Sequence, residues 1–446
     1  MARMFGTDGV RGVANKDLTC TMAYRLGQAA VAFMGKTILV GKDTRLSGDM
    51  LEAAVCAGIT SMGGTALTTG VLPTPGIALL TRQLHASGGI VISASHNPPE
   101  YNGIKYFDAE GFKLRNVMED AIEEFVTAGG AQVPDMPNGD EVGIILPVED
   151  AVELYIQHAV SVVEEQGISF DGLKIALDCG HGASALTSAE ALERLGAEVF
   201  AINQDFCGTD INVKCGSTNL GPVKDLVRAT GADVGIAHDG DADRVMMVTS
   251  EGVEVDGDMM EAVLALDLKE RGLLEGNTAV STVMCNLGFV RAMEVAGIQV
   301  HQTKVGDRYV LGAMREHGFA IGGEQSGHMI MLAHNTTGDG LMTAVQFLAA
   351  CVRAGKSVDD AVKVMERFPQ ELINVRVADK HAVSENQAVA AAVAAAEEAM
   401  GATGRVLLRP SGTEPLVRVM VEAASQEDAE AHARAIAAVV QEQLGL

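Results

Sequence analysis

Short apolar runs alternate along most of the chain with glycine-rich or polar turns, and the turns lead towards segments of helical periodicity. The clearest predicted strands are Ile38–Val40, Ile175–Leu177 and Ala279–Val283. The clearest predicted helices are Ala185–Leu195, Phe289–Ala296 and Arg308–His317. Repeated strand–turn–helix units predict parallel or mixed sheets with helices on both faces, and ligands of such sheets collect at the carboxyl ends of the strands.

The C-terminal part of the chain follows a different pattern. Its predicted strands are Pro369–Val377, Arg405–Leu408 and Val417–Glu422. Its predicted helices are Glu385–Met400 and Gln426–Leu444, and Ser425 is placed to begin the second of them. This order predicts a small α+β domain.

The chain has 446 residues, more than one hydrophobic core usually serves, and its composition changes near Pro147, Glu251 and Arg367. We therefore predict four domains, at 1–150, 151–252, 253–366 and 367–446. No low-complexity linker separates them, so we expect them to pack around a central cleft. The predicted fold class is α/β, with three similar mixed-sheet domains followed by the smaller C-terminal α+β domain.

The charge balance restricts the class of partner. Hydrophobic residues make up 48% of the chain and charged residues 21%, as in a compact globular protein, and the formal net charge is −26. Such an excess of negative charge argues against a nucleic acid or an anionic membrane as partner. If the ligand is a phosphorylated metabolite, the few arginines must be gathered locally around it.

Cysteine spacing and the N-terminus bear on the compartment. The seven cysteines are odd in number and never spaced as C-x-x-C, which favours reduced thiols and argues against a zinc site. The chain reaches Arg3 and Gly6 before any apolar segment, and no later apolar run is long enough to cross a bilayer. We expect a full-length cytoplasmic protein.

The first candidate site is the serine loop, Ser93–Pro99, which follows an apolar strand and cannot become a helix past its two prolines. Ser95 is expected to be exposed on this stiff loop. His96 follows directly, Asn102–Gly103 suggests a tight turn, and Lys105 lies on the next apolar strand, so a base and a cation are expected beside the hydroxyl. The alternative is an ordinary turn serine.

The second candidate site is the aspartate triplet, Asp239, Asp241 and Asp243, between two apolar runs. Alternate spacing directs the three carboxylates to one side of an extended or turning backbone, where oxygen ligands suit Mg²⁺. An EF-hand is excluded because Arg244 and Ser250 stand where that loop needs Gly and Glu. The alternative is a solvated acidic turn.

Two further loops carry polar groups suited to a phosphosugar. The Arg409 turn, Arg409–Pro415 with Arg418 beyond, combines a planar bidentate donor with hydroxyls and a glycine, which suits phosphate. The sugar loop, Gly322–His328, offers Glu324 and Ser326 to sugar hydroxyls. Each could also be an ordinary surface turn.

A competing motif is Gly180-x-Gly182-x-x-Ala185, which follows a predicted strand and precedes a predicted helix, with Asp205 after the next strand. This spacing imitates a dinucleotide-binding fingerprint and would indicate a dehydrogenase. That interpretation leaves the serine loop, the aspartate triplet and the Arg409 turn unexplained.

Taken together, the motifs resemble the α-D-phosphohexomutase superfamily over essentially the whole chain. The opening Phe5–Gly12, the serine loop, the aspartate triplet, the sugar loop and the Arg409 turn occur in the order of that family. The resemblance implies four domains, carrying in turn the phosphoserine loop, the metal-binding loop, the sugar-binding loop and the phosphate-binding loop.

The resemblance also implies roles for individual residues. Ser95 would carry the transferred phosphoryl group, and one oxygen of its phosphate would join the aspartate triplet in binding Mg²⁺. Arg11, Lys105 and Arg244 would neutralise the transferring group. His96 and His328 are candidate proton carriers, with Lys105 as a rival, and the choice stays open. The residues that would bind the sugar and its second phosphate are Glu324, Ser326, Arg409, Ser411, Gly412, Thr413 and Arg418.

The implied reaction is the isomerisation of glucosamine 6-phosphate to glucosamine 1-phosphate through a bisphosphate, which feeds UDP-N-acetylglucosamine and cell-wall synthesis. Glucosamine 1,6-bisphosphate or glucose 1,6-bisphosphate would prime an enzyme that has lost its phosphate. Gln325 favours this branch, because methionine is usual there in the phosphomannomutase/phosphoglucomutase branch. That second branch remains an alternative.

Three other classes remain open. A Mg²⁺-dependent sugar phosphatase would use Asp239 and Asp241 directly, a binding protein would hold the phosphosugar without converting it, and a dehydrogenase would depend on Gly182. An apolar face on the first domain leaves a homodimer open. For each interpretation that involves a phosphosugar, the expected partner is a small molecule. Neither a nucleic acid nor a membrane is expected as a partner.

Overall fold

Four sheets carry the apolar runs of the chain. The computed structural model describes residues 3–6, 8–131, 136–411 and 415–446. Unit 1 comprises Met1–Met284 and Gly297–Val364, and unit 2 comprises Cys285–Ala296 and Met365–Leu446. The predicted domain boundaries stay predictions, but unit 2 takes in a segment from well before Arg367.

The first sheet of unit 1 has the order β1-β5-β4-β2-β3-β6. Its strands are β1 (Val10–Val13), β2 (Thr37–Lys42), β3 (Thr65–Val71), β4 (Gly88–Ile92), β5 (Tyr101–Asp108) and β6 (Ile145–Pro147). Its helices are α1 (Cys20–Met34), α2 (Gly48–Ser61), α3 (Thr74–Gln83) and α4 (Asn116–Thr127). Strands β2, β3, β4 and β6 are parallel, whereas β5 runs antiparallel to its neighbours β4 and β1. Every residue of β4 is buried, so the serine loop starts from the interior of the sheet.

The second sheet has the order β11-β10-β9-β7-β8. Its strands are β7 (Lys174–Asp178), β8 (Glu198–Ile202), β9 (Val234–His238), β10 (Val245–Thr249) and β11 (Glu254–Val255). Its helices are α5 (Ala151–Glu164), α6 (Ser188–Arg194) and α7 (Gly221–Thr230). The antiparallel pair β9 and β10 carries the aspartate triplet in its connection.

The third sheet has the order β13-β12-β14-β15. Its strands are β12 (Thr278–Thr282), β13 (Gln299–Thr303), β14 (Ile321–Gly323) and β15 (Met329–Met331). The helices of this part are α8 (Gly257–Glu270), α10 (Asp307–His317), α11 (Gly340–Ala354) and α12 (Val358–Ala361). The sugar loop connects the antiparallel strands β14 and β15.

Unit 2 contains an antiparallel sheet of order β16-β18-β17. Its strands are β16 (Gln370–Arg376), β17 (Arg405–Pro410) and β18 (Leu416–Glu422). Its helices are α9 (Leu287–Val295), α13 (Gln387–Met400) and α14 (Gln426–Leu444). The Ser425 side chain accepts a hydrogen bond from the backbone N–H of Asp428, so this serine begins α14 as predicted.

The predicted fold class, mixed α/β sheets followed by a smaller α+β domain, is confirmed. The prediction of a tight turn at Asn102–Gly103 was wrong, because both residues lie inside β5, where Gly103 pairs with Arg11 of β1. A Cβ at Gly103 would approach the Ser93 carbonyl oxygen to 2.5 Å. The glycine therefore permits close packing of the serine loop and does not break the strand.

Candidate active site

The serine loop leaves β4 and returns to β5, and it places Ser95 in the interior. Ser95 is 1% exposed, so the prediction of an exposed serine was wrong. The aspartate triplet covers it: the Ser95 hydroxyl donates to Asp239 Oδ2 over 2.6 Å. His96 Nδ1 lies 3.3 Å from the same hydroxyl. Ser95 has a φ of +52°, in the left-handed region that a side chain disfavours.

The aspartate triplet occupies the tight connection between β9 and β10. All three carboxylates are buried, and their ligand atoms lie within 4.8 Å of one another. Ala242, between the second and third aspartates, has a φ of +53° and is fully buried. The backbone is therefore bent to point three like charges at one place, which only a cation makes favourable.

Two oxygens of the triplet are suited to a divalent cation. Asp241 Oδ2 accepts from the Thr74 hydroxyl over 2.6 Å and from Lys105 Nζ over 2.7 Å. Asp241 Oδ1 and Asp243 Oδ1 are buried and have no hydrogen-bond partner among the described residues. Buried carboxylate oxygens left over in this way are the donors that a hard divalent cation takes.

The pKa values of Asp239 and Asp243 are shifted in opposite directions. Burial, and then the neighbouring charges of Asp243 and Asp241, raise the pKa of Asp239 well above its usual range. Burial alone would also raise the pKa of Asp243, but Lys105, His328 and Arg244 outweigh it and hold that pKa well below its usual range. Asp243 is therefore ionised, and the repulsion falls mainly on Asp239.

The sugar loop and the aspartate triplet share a cavity of about 340 Å³ in unit 1. Its polar lining includes Asp243, Arg244, Glu324, Ser326 and His328. Strand β14 ends at Gly323, so Glu324 directly follows it. The sequence predicted Glu324, Ser326 and His328 as site residues of the sugar loop. The structure places all three around one cavity together with Arg244.

The candidate histidines have opposite environments. Burial, and then the charges of Arg244 and Arg11, lower the pKa of His96 to about 4, so its ring is neutral near pH 7. Burial would lower the pKa of His328 as well, but the nearby carboxylates of Asp243 and Asp307 raise it overall. His328 lies 3.7 Å from each of those carboxylates.

The predicted Arg11 belongs to a chain of charged residues beside this cavity, whose members Lys113 and Asp307 were not predicted. Arg11 donates to Asp8 Oδ2 over 3.0 Å, and Asp8 Oδ1 accepts from Lys113 Nζ over 2.6 Å. Lys113 also contacts Asp307, which in turn lies beside His328. Asp8 belongs to the opening motif that was recognised, but nothing local to Lys113 or Asp307 indicated their roles.

The Arg409 turn lies in unit 2. Arg409 in β17 and Arg418 in β18 stand directly opposite each other. Partial burial and the charge of Arg418 lower the pKa of Arg409. Ser411 is buried, and its carbonyl accepts from Lys380 Nζ over 2.6 Å. The predicted Gly412 and Thr413 lie outside the described residues.

The glycines of the competing dinucleotide motif have a different use. A Cβ at Gly182 would come within 2.5 Å of the Gly240 carbonyl oxygen, inside the aspartate loop. Ala183 N–H donates to that same oxygen over 2.9 Å, and α6 begins only at Ser188. The Asp178 carboxylate accepts a hydrogen bond from the backbone N–H of Gly180. The motif thus packs against the backbone of the aspartate loop and stabilises it.

Four consecutive family models match the chain. They are described as phosphoglucomutase/phosphomannomutase alpha/beta/alpha domains I, II and III and the C-terminal domain, and they match residues 2–132, 153–252, 256–368 and 372–439. The chain belongs to the phosphoglucomutase/phosphomannomutase family.

Individual members of this family agree with the match. A phosphoglucosamine mutase of Carboxydothermus hydrogenoformans is 49% identical over 446 residues, covering 99% of this chain and 100% of the relative. Two solved structures show the same fold. A phosphoglucomutase/phosphomannomutase family protein of Burkholderia thailandensis has a TM-score of 0.82 at 22% identity, covering 100% of this chain and 99% of the other. An Aspergillus fumigatus N-acetylphosphoglucosamine mutase in complex with GlcNAc-6P and magnesium has a TM-score of 0.70 at 17% identity, covering 98% and 95%.

The family assignment confirms the predicted class of enzyme, a phosphohexomutase and hence an isomerase. In the described part of the chain, no helix is both long and apolar enough to cross a membrane.

Proposed function

We propose that the chain interconverts glucosamine 6-phosphate and glucosamine 1-phosphate, with Ser95 as the phosphoryl carrier. The observation that carries the proposal is the 2.6 Å contact between the Ser95 hydroxyl and Asp239 of the buried triplet. It puts a nucleophile at a place built for cations, where phosphoryl transfer is favoured by position and charge. The choice of amino sugar rests on the full-length phosphoglucosamine mutase relative and on Gln325.

Each half of the reaction moves one phosphoryl group. A hydroxyl oxygen of the sugar monophosphate attacks the phosphorus on Ser95, the bond from phosphorus to Ser95 Oγ breaks, and a base takes the hydroxyl proton. The bisphosphate then turns, and Ser95 Oγ attacks its other phosphoryl group, so that the opposite monophosphate leaves with a proton. A hexose 1,6-bisphosphate primes enzyme that has lost its phosphate.

The site fits a divalent cation on the evidence of the unpartnered Asp241 and Asp243 oxygens. We propose that Asp239, Asp241 and Asp243 hold Mg²⁺ together with an oxygen of phosphorylated Ser95. Bound there, Mg²⁺ would supply positive charge to phosphoryl oxygens. Arg11, Lys105 and Arg244 would add to it from the protein.

Position separates the candidate proton carriers. Lys105 Nζ is already held 2.7 Å from Asp241, so we assign it to charge compensation. His328 lines the cavity with Glu324 and Ser326, so we propose that it exchanges the proton of the sugar hydroxyl. His96, next to Ser95 Oγ and neutral near pH 7, is suited to the proton on the serine side.

The remaining predicted residues would hold the substrate. We propose that Glu324 and Ser326 bind sugar hydroxyls, and that the Arg409 turn binds the phosphate that is not reacting. The members of that turn are Arg409, Ser411, Gly412, Thr413 and Arg418. None of the seven cysteines, all of which lie among the described residues, forms a disulfide bond, which agrees with the cytoplasmic location we propose for the enzyme.

The test is a ³¹P NMR time course of glucosamine 6-phosphate with Mg²⁺ and a trace of glucose 1,6-bisphosphate. We expect glucosamine 1-phosphate with the native chain and with the control Ser250→Ala, and none with Ser95→Ala. Mannose 6-phosphate, run in parallel, should react much more slowly. Inorganic phosphate as the product, or full activity in Ser95→Ala, would contradict the proposal and favour a phosphatase.

A further inference from the structure

Arg45, a residue outside the recognised motifs, lies beneath the serine loop. It follows β2 just before α2, and its side chain is fully buried. The guanidinium donates to four successive parts of the loop and its exit. Nη2 donates to the carbonyl oxygens of Ser95 and Asn97, each over 2.8 Å, and Nη1 donates to those of Pro98 and Tyr101 over 2.5 and 3.0 Å.

The third guanidinium nitrogen connects Arg45 to the other side of Ser95. Nε donates to Asp43 Oδ2 over 2.9 Å, and that oxygen also accepts from the Ser93 hydroxyl over 2.6 Å. The Ser93 oxygen accepts in turn from the backbone N–H of Ser95 over 2.9 Å. Arg45 therefore holds Ser95 on both sides. It binds the Ser95 carbonyl directly, and it is linked to the Ser95 amide through Asp43 and Ser93.

This double hold accounts for the conformation of Ser95. A left-handed backbone disfavours a side chain and persists only where its surroundings fix it. The Ser95 carbonyl also accepts from Asn212 Nδ2 over 2.9 Å, so its peptide plane is fixed from two directions. Rotation of either peptide would swing the Ser95 hydroxyl away from Asp239.

A lysine could not replace this arginine. The planar guanidinium presents five N–H donors in a fixed fork, whereas an ammonium is a compact point charge with three donors. The four carbonyl oxygens and the Asp43 carboxylate use all three nitrogens of Arg45. Charge alone is thus insufficient, and the shape of the side chain matters.

We propose that Arg45 is a positioning residue for phosphoryl transfer, which holds the serine loop so that Ser95 Oγ points at the aspartate triplet. Arg45 touches the loop backbone and not the reacting atoms. The proposal rests on the proposed function of Ser95. It predicts that chemistry, more than substrate affinity, depends on Arg45.

The experiment compares Arg45→Lys with the matched control Arg405→Lys. Arg405 in unit 2 also donates to a carbonyl and a buried carboxylate, those of Cys285 and Glu422. With Mg²⁺ and the bisphosphate primer saturating, we expect Arg45→Lys to lower kcat per folded, phosphorylated enzyme about 100-fold, since a small misplacement can cost that much. KM should change less than about threefold, and the ³¹P line of phosphorylated Ser95 should shift or broaden. Arg405→Lys should show none of these changes.

Asp43→Asn is the second variant if Arg45→Lys does not fold. It keeps the side-chain shape and removes the charge that orients Arg45, and we expect a drop in kcat of about tenfold with the same ³¹P change. Unchanged kcat per folded enzyme in either variant overturns the positioning role. If the native chain itself shows no phosphoryl transfer that depends on Ser95, the result is of a different kind, because it contradicts the proposed function and not the role of Arg45.

Discussion

The serine loop in unit 1 and the Arg409 turn in unit 2 are both expected to hold phosphoryl oxygens, yet their charges are arranged differently. Around the serine loop, Arg45 faces Asp43 and Lys105 faces Asp241, so buried charges of opposite sign lie together. In the Arg409 turn, Arg409 faces Arg418 across two strands, and the pKa of Arg409 is lowered by burial and by that neighbour.

The difference has a physical meaning. Opposite charges in contact fix geometry before any ligand arrives, which suits the place where bonds form and break. Like charges opposite each other repel, and an anion bound between them would relieve that repulsion. Under the proposed function, unit 1 would thus be organised for chemistry and unit 2 for reversible capture of a phosphate at either end of the sugar.

Asp241→Asn tests the paired charges around the serine loop in unit 1 and should have the largest effect on activity. The change removes a charge that Lys105 and Thr74 contact and a donor suited to Mg²⁺. We expect kcat to fall by about 10²–10³-fold. Binding of Mn²⁺, followed by electron paramagnetic resonance as a probe for Mg²⁺, should weaken in parallel. Asp225→Asn, exposed on α7, is the control, and equal metal affinity in the two variants contradicts the metal assignment.

Arg409→Gln tests the role of the Arg409 turn in unit 2. Loss of one charged donor to phosphate corresponds to roughly 1.5–3 kcal/mol, so KM should rise about tenfold to a hundredfold. Stability should not fall, because the repulsion with Arg418 is removed at the same time. Steady-state kinetics and thermal unfolding measure the two effects, with exposed Arg434→Gln as the control. A drop in kcat at constant KM would place Arg409 in the chemistry and remove the contrast.

Glu261 extends the comparison to a buried carboxyl group beside which the described residues place no cation. It is fully buried in α8, and burial and then Asp258 raise its pKa well above the usual range, while the Ser281 hydroxyl offsets only part of this. A raised folded-state pKa makes the protein most stable below the unfolded pKa and less stable as pH rises towards the folded pKa. Glu261→Gln should therefore stabilise the protein by about 1–3 kcal/mol at pH 8 and by much less at pH 4.5. Denaturant unfolding at the two pH values tests this, and an equal effect at both contradicts it.

Ala242→Gly tests the backbone strain within the aspartate loop and should have the smallest effect. The left-handed conformation costs alanine about 1–2 kcal/mol, and glycine gives part of this back through its more flexible unfolded state. We expect a net stabilisation of at most about 1 kcal/mol with activity preserved. Ala237→Gly, in the neighbouring strand β9, should destabilise. Destabilisation by both changes would mean that Ala242 is not strained.

Much of the architecture could be predicted because it is encoded locally. The apolar runs beside the aspartate triplet became β9 and β10, and the polar residue Ser425 begins α14. The site was predicted where its members share a motif, as Glu324 and Ser326 do. Sequence could not show that Ser95 is buried, because its cover comes from Asp239, 144 residues away.

The contacts that sequence missed are long-range or lack a motif. Lys113 and Asp307 are 194 residues apart and meet only because the folds of the first and third sheets place them together. Arg45 belongs to no recognised motif, and nothing near it in the sequence shows that its donors reach four carbonyls of another loop. Paired charges of this kind follow from the tertiary fold and have no periodicity of their own.

Unit 2 is assembled from two separated stretches of chain, and this affects how it can form during synthesis. Helix α9 emerges from the ribosome long before β16, yet Asn286 at its start donates to the Phe368 carbonyl and to Glu422 over 3.0 and 3.1 Å. A Cβ at Gly288 would meet the Glu366 carbonyl oxygen at 1.9 Å. Helix α9 can therefore complete these contacts only after the C-terminal part of the chain has been synthesised, and a fragment beginning at Met365 would lack them.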